Sequence, residues 1–471
     1  MGTTSRAKGL DTALLLAAAL ACGAACAQTA TAPDNMAPVK EQPAPEPGYG
    51  LPVAEIIGFD VLLNRFNHRF SGSHDYDVSF DTFRTNLRRS WIVDNDPFKV
   101  NQLGHPYQGS MYMGFARSSG LPFWPSMGLT FAGSIGWELA GENTRPSRND
   151  QVASGIGGAF LGEALYRMAN LMLENSSGAP SIWREVGAAV ISPSNAFNRH
   201  VYGHGFGAVL NSREASYYSR AQFGVMGNTK NTTGFSLSHI RNDAQADFLL
   251  EYGLPGKEGY TYRQPFDYFS FQATASSTNI FENVMTRGLL WGTDYKAGKD
   301  YRGLWGLYGS YDYISPQSFR ISTTAISLGT TGQYRASDEY MVQGSALAGV
   351  GYSAVGTINT SAPDDYHYGV TPQALVALRF IHKDQYAIDV TGREYFVSKA
   401  STGPGGHDNI ARADVAFTWR IKGPHAVSVK YLWNRRDATS TALGNRHQTT
   451  GTIGVFYTLL GHDRFGAVDW K

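Results

Sequence analysis

Two hydrophobic periods divide the chain. From Tyr49 to about Arg199, apolar residues return every three or four positions in segments 51–69, 78–92, 107–118, 126–141, 150–173 and 181–190. That spacing predicts helices with one apolar face. Pro97, Pro106, Pro122, Pro125, Pro146, Pro180 and Pro193 fall at the segment ends, where proline starts or stops a helix. The stretches around Phe131 and Phe160 are apolar for about 20 residues, the length of a membrane span. Each carries Ser, Gly and Glu, so they are expected to be buried in protein.

From about Tyr202 the period becomes two. Val427, Val429, Tyr431 and Trp433 share one face, with Ser428 and Lys430 on the other. Val415, Phe417 and Trp419 alternate with Asp414, Thr418 and Arg420, and Tyr386, Ile388 and Val390 with Asp389, Thr391 and Arg393. Runs of about ten residues with this alternation, separated by turn residues, predict about 12 strands. A soluble sandwich would have to bury the polar sets, so the pattern selects a transmembrane barrel with a polar lumen. Trp305, Tyr313, Trp419 and Trp433 stand where interfacial aromatics belong. His200 and His204 are spaced like metal ligands on one helix turn, but Gly203 and Gly205 interrupt them, and both are expected to begin the first strand. The fold class read from these patterns is an α+β membrane protein, a helical module (48–200) followed by an antiparallel barrel (201–471).

The amino terminus adds an address. Arg6 and Lys8 precede the apolar run 13–21, and Ala25-Cys26-Ala27 follows. This is the layout of a secretory signal peptide cut after Ala27. Residues 28–47, rich in Ala, Pro, Thr and Glu, read as a disordered tether. Cys22 and Cys26, the two cysteines of the chain, lie in the leader, so a mature protein would hold no disulfide and no thiolate metal site. At the other end the chain closes on Val468-Asp469-Trp470-Lys471, which leaves Tyr457 or Trp470 to supply the terminal aromatic for barrel assembly.

Composition agrees. In 471 residues there are 53 glycines, 13 % aromatic and 17 % charged residues. Mean hydropathy is −0.27, too polar for a bundle of membrane helices. With 40 basic and 39 acidic residues the net charge is +1, and no basic stripe offers itself to nucleic acid. The expected partners are outer-membrane lipid, the barrel-assembly machinery and an amphiphilic ligand, with the helical module facing the periplasm or the barrel mouth.

The chemistry-bearing residues gather between 94 and 167. In order come His105-Pro106-Tyr107-Gln108-Gly109-Ser110-Met111-Tyr112, Ala116-Arg117-Ser118-Ser119-Gly120, Trp137-Glu138-Leu139-Ala140-Gly141-Glu142, Pro146-Ser147-Arg148-Asn149-Asp150 and Gly157-Gly158-Ala159-Phe160-Leu161-Gly162-Glu163. This series resembles an uncharacterised family of bacterial envelope proteins, a domain of unknown function with H-P-Y-x-G-S-x-Y, A-R-S-x-G, W-E-x-x-G-E, P-S-x-x-D and G-G-x-x-x-G-E elements. The glutamate pair, the P-S-x-x-D element and the Gly-rich helix are also similar to the core of VanZ-like membrane proteins. Neither resemblance implies a reaction.

Ser147 and Asp150 have capping-box spacing. Ser154, Gly158 and Gly162 make a small-residue face for a close helix partner. One reading makes Glu138, Glu142, Asp150, Glu163, Arg117 and Arg167 a buried ion network that joins tightly packed helices, with Ser147 among its polar members. The other is a lipid- or glycan-directed hydrolase or transferase. There His105 would be general base, Ser110 its nucleophile, and Glu138 or Asp150 the group orienting the imidazole. No G-x-S-x-G elbow is present. His105 with Glu138, Glu142 and Asp150 could hold a metal, but zinc ordinarily takes more histidines, and the sequence alone assigns no metal or cofactor. Function is read as envelope lipid or amphiphile binding or passage, with the module docked on or plugging the barrel, and the enzyme as the alternative.

Overall fold

The computed structural model describes residues 48–470 apart from 95, 175–179, 204–214, 233–241, 317–318, 357–365, 399–405, 441–443 and 462. The expected leader, the tether and His204 lie outside the described residues. The chain forms two compact units.

The first unit holds α1 (Gly50–Phe70), α2 (Phe80–Asn86), α3 (His105–Ser118), α4 (Phe123–Ala140), α5 (Gly158–Leu173), α6 (Ile182–Ile191) and α7 (Pro193–Tyr202). π-helical turns precede α3 (Val100–Gly104) and α5 (Gln151–Gly157). None of the described helices is long and apolar enough to cross a membrane. His200 sits in α7 and not at the head of a strand. Pro193, after α6, occupies the first turn of α7, where its missing N–H is no loss, so the break read there starts another helix.

α5 is the buried axis, with Phe160, Leu161, Ala164 and Tyr166 almost wholly enclosed. Its small-residue face meets α3 at backbone distance. A Cβ built on Gly158 would stand 2.7 Å from the Gly109 Cα and 2.9 Å from the Pro106 carbonyl oxygen. One on Gly162 would stand 2.6 Å from the Met113 Cβ. Phe131 of α4, by contrast, remains exposed.

The second unit is a closed antiparallel barrel of twelve strands in sequence order, β1 (Tyr217–Thr232) pairing with β12 (Gly444–Leu460). Closure satisfies every strand edge, which a hydrocarbon surrounding demands. The alternation reads directly as outside and inside. Val429, Tyr431, Val415, Phe417, Trp419, Ile388 and Trp305 are exposed on the outer face, while Ser428, Lys430, Thr418 and Asp389 are buried within. Tyr313 is fully buried and does not join the exposed aromatics.

Inside, charges pair with each other. Asp389 (β9, Tyr386–Val397) accepts from Arg220 at 2.8 Å and Arg379 at 2.6 Å, and Arg379 also reaches Glu251 at 2.7 Å. Beyond β12 the tail turns back into the lumen through Arg464, Phe465 and Gly466, all in left-handed backbone. Such backbone costs roughly 1–2 kcal/mol per non-glycine residue. Burying the Phe465 ring, which is fully enclosed, offsets about 1.5–3 kcal/mol. Phe465, Ala467 and Val468 pack with Tyr218, Met341, Ile381 and Ala426 from strands around the barrel. Gln333 and Gln343 donate to the Gly466 carbonyl, and Arg335 to Asp469 at 2.7 Å. The tail thus crosses the lumen.

Candidate functional site

The residues singled out in the helical unit are brought in by three separate elements. His105 opens α3 directly after its π turn, and Asp150 ends the short turn Arg148–Asp150 just before the other π turn. π turns shift a side chain out of the α-helical register and recur at functional sites. Glu138 comes from the last turn of α4. Ser147 caps its turn as the spacing predicts, its Oγ accepting from the Asp150 N–H. A short bridge between Ile92 and Ser147 ties the segment before α3 to this turn.

One donor atom from each of His105, Glu138 and Asp150 lies within 4.8 Å of the other two. The three residues are 5 %, 4 % and 2 % exposed. Nε2 of His105 stands 3.7 Å from Oδ2 of Asp150, and its Nδ1 is buried with no hydrogen-bond partner. The carboxylates are held from outside. The Ser147 N–H donates to Glu138 Oε2 at 2.7 Å, and Asn149 Nδ2 donates to Asp150 Oδ1 at 3.0 Å. Behind them, Asp94 Oδ1 accepts from Asn149 at 2.8 Å and Asn101 at 2.6 Å.

The electrostatics are one-sided. Burial, reinforced by Glu142, pushes Glu138 up to about 9. Burial, then Asp94 and Glu138, pushes Asp150 well above the carboxylate range. Burial lowers His105 to about 4, so at neutral pH the imidazole is uncharged and compensates neither carboxylate. Among the described residues no lysine or arginine pairs with Glu138, Asp150 or Asp94.

The arginines serve elsewhere. Arg117 and Arg167 grip Glu163 at 2.7 and 2.8 Å, and Arg117 lies over the Tyr166 ring. Burial alone would raise Glu163, but the two guanidinium groups hold it below the usual carboxylate range. The polar residues read as one network in the sequence therefore form two centres: an Arg–Glu–Arg pin between α3 and α5, and a cluster of carboxyl groups around His105 with no lysine or arginine partner among the described residues. Glu142 belongs to neither pin nor donor set. It accepts from Trp137 Nε1 at 3.0 Å and Thr144 at 3.1 Å, and burial raises it to about 7.

Ser110 is apart from His105 chemically, its hydroxyl donating to the Tyr107 carbonyl of its own helix at 2.6 Å. Asp94, Asn101 and Asn149 were not expected at the site. Asn149 lies inside the P-S-x-x-D element, the one signal that could have marked it.

Residues 90–194 match the model of a family described as Domain of unknown function (DUF3943). No curated protein matches the chain. Among solved structures, the chain is similar to the NanC porin at 9 % identity, over 51 % of this chain and 98 % of that one, with a TM-score of 0.26. The outer membrane channel DcaP of Acinetobacter baumannii gives 8 % identity over 52 % and 96 %, TM-score 0.25. The KdgM porin gives 9 % over 50 % and 98 %, TM-score 0.24. The closed barrel itself, with its even strand number, apolar exterior and polar interior, is that of an outer-membrane β-barrel protein.

Proposed function

We propose that the protein binds amphiphiles of the cell envelope, the barrel retaining at the outer membrane a helical module that takes lipid on its apolar faces. The observation that carries this reading is surface hydrophobicity in the wrong place for a water-soluble unit. α6 exposes Ile182, Trp183, Val186 and Val190 on one side, and α1 exposes Ile57, Val61, Leu62, Phe66 and Phe70. Isolated apolar residues on a surface are ordinary; a contiguous set with Trp183 at its edge is built for an interface or a membrane surface. Lipid is the favoured occupant because the same chain carries a membrane barrel. The mutually paired lumen charges and the inserted tail support binding over passage.

A second reading, the envelope hydrolase or transferase, is favoured by one observation: His105, Glu138 and Asp150 converge. It would proceed without Ser110 as nucleophile.

The test places a single cysteine at Val186 or Phe66, or at the exposed Arg88 beyond α2 as control, in a chain with Cys22 and Cys26 replaced by Ser. An environment-sensitive fluorophore is attached and the protein reconstituted into vesicles. Blue-shifted emission and quenching by a lipid-borne quencher are expected at 186 and 66, not at 88. Labels at 186 and 66 that behave like the one at 88 would refute lipid engagement.

A further inference from the structure

We propose that His105, Glu138 and Asp150 bind one divalent transition-metal ion. The donor geometry comes first. Two ligands about 2.1 Å from a common ion stand roughly 3–4 Å apart. The 3.7 Å between His105 Nε2 and Asp150 Oδ2 is too long for a hydrogen bond and falls within that span. The widest separation in the set, at most 4.8 Å, enters that span on a closure of no more than about 0.8 Å.

The second observation is the imidazole. His105 is buried, aims Nε2 at the carboxylates beyond hydrogen-bond reach and leaves Nδ1 without a partner. Buried polar groups almost always have a partner, in protein, ordered water or a ligand, and neither nitrogen of this ring finds one in the protein.

Charge is the third. Glu138, Asp150 and Asp94 converge with no basic partner among the described residues. A divalent cation supplies what Arg117 and Arg167 supply at Glu163. The surrounding hydrogen bonds also have the form of an outer shell. Ser147 and Asn149 hold Glu138 and Asp150 from behind, which orients carboxylates toward a metal.

The donor set selects the ion class. One imidazole nitrogen with carboxylate oxygens, and no thiolate, suits Zn²⁺, Mn²⁺ or Fe²⁺; Mg²⁺ and Ca²⁺ prefer all-oxygen sites. With ligands from α3, α4 and the 147–150 turn, the ion would clamp three separate elements.

The full-length protein, purified in detergent and stripped with EDTA, is dialysed against Zn²⁺ or Mn²⁺ with excess Mg²⁺ and Ca²⁺ present, and its metal content measured by mass spectrometry. About one ion per chain is expected, together with a higher melting midpoint of the helical signal. His105→Ala and Asp150→Asn should each weaken binding at least tenfold; Asp60→Asn, a carboxylate change elsewhere in the same unit, should not. Should the site variants fail to fold, the wild-type stoichiometry and midpoint shift decide alone. Folded wild-type protein that takes up neither ion and shows no shift would overturn the proposal. So would stoichiometric binding that survives in folded His105→Ala and Asp150→Asn.

Discussion

Replacing Gly158 by alanine adds one methyl group where α5 meets α3 backbone to backbone. In an open helix that change stabilises by about 1 kcal/mol, because alanine is the better helix former. Here the new Cβ would stand 2.7 Å from the Gly109 Cα and 2.9 Å from the Pro106 oxygen. Both are backbone atoms, so neither can swing aside as a flexible side chain would. Overpacking of this kind costs about 1–3 kcal/mol, and more where relaxation is blocked. The steric term should therefore exceed the propensity gain, for a net loss of about 1 kcal/mol or more. Gly58→Ala in α1 is the internal control, since nothing lies within 4 Å of its added Cβ, and it should gain up to about 1 kcal/mol. Denaturant titration of the full-length protein in detergent, followed by helical circular dichroism, measures both, and heat-modifiable migration on a gel reports the barrel separately. A Gly158→Ala protein as stable as wild type would show that α3 and α5 do not meet backbone to backbone.

Other outcomes follow from the same structure. Val429→Arg puts a charge on the exposed outer face and should cost about 2–4 kcal/mol if near the bilayer midplane; Val429→Leu should not, as read by the yield of heat-modifiable barrel. Glu163→Gln leaves Arg117 and Arg167 buried beside a neutral group and should cost about 3–5 kcal/mol in the helical melt. Asp60, which accepts a hydrogen bond from Tyr112, is raised by burial to about 7. Its stabilising contribution is complete below its unfolded pKa near 4 and is lost as pH rises through 7. Asp60→Asn should therefore flatten the fall in helical-unit stability between pH 5 and 8, and an unchanged slope would contradict it. Ending the chain after Gly461 removes the segment held by Gln333, Gln343 and Arg335, and should raise conductance in planar bilayers above that of the full-length barrel.

The barrel is legible in the residue pattern because alternation is a local property. Val429 out and Lys430 in follow from the pleat alone, and the even strand number follows from closure. Helix existence is equally local, as is the small-residue face of Ser154, Gly158 and Gly162. The starting point of the first strand is less so: His200 belongs to α7, since after Pro193 no change of period marks where one helix ends and the next begins. The tail's entry into the lumen leaves no sequence signal. Phe465 is an ordinary aromatic until the strands around it present an apolar cluster to receive it.

At the candidate site the split is sharper. Residue types and order place His105, Ser110, Glu138, Glu142, Asp150, Glu163, Arg117 and Arg167 in one polar region, where they read as a single network. Which charges face each other is decided by two π turns, the Ile92–Ser147 bridge and the rotation of α3 on α5. These set Arg117 and Arg167 on Glu163 and turn Glu138 and Asp150 toward a neutral histidine. Spacing along a helix fixes which side chains share a face. Pairing between helices depends on rotation and register, which arise from the packing of the whole unit and are written in no single segment.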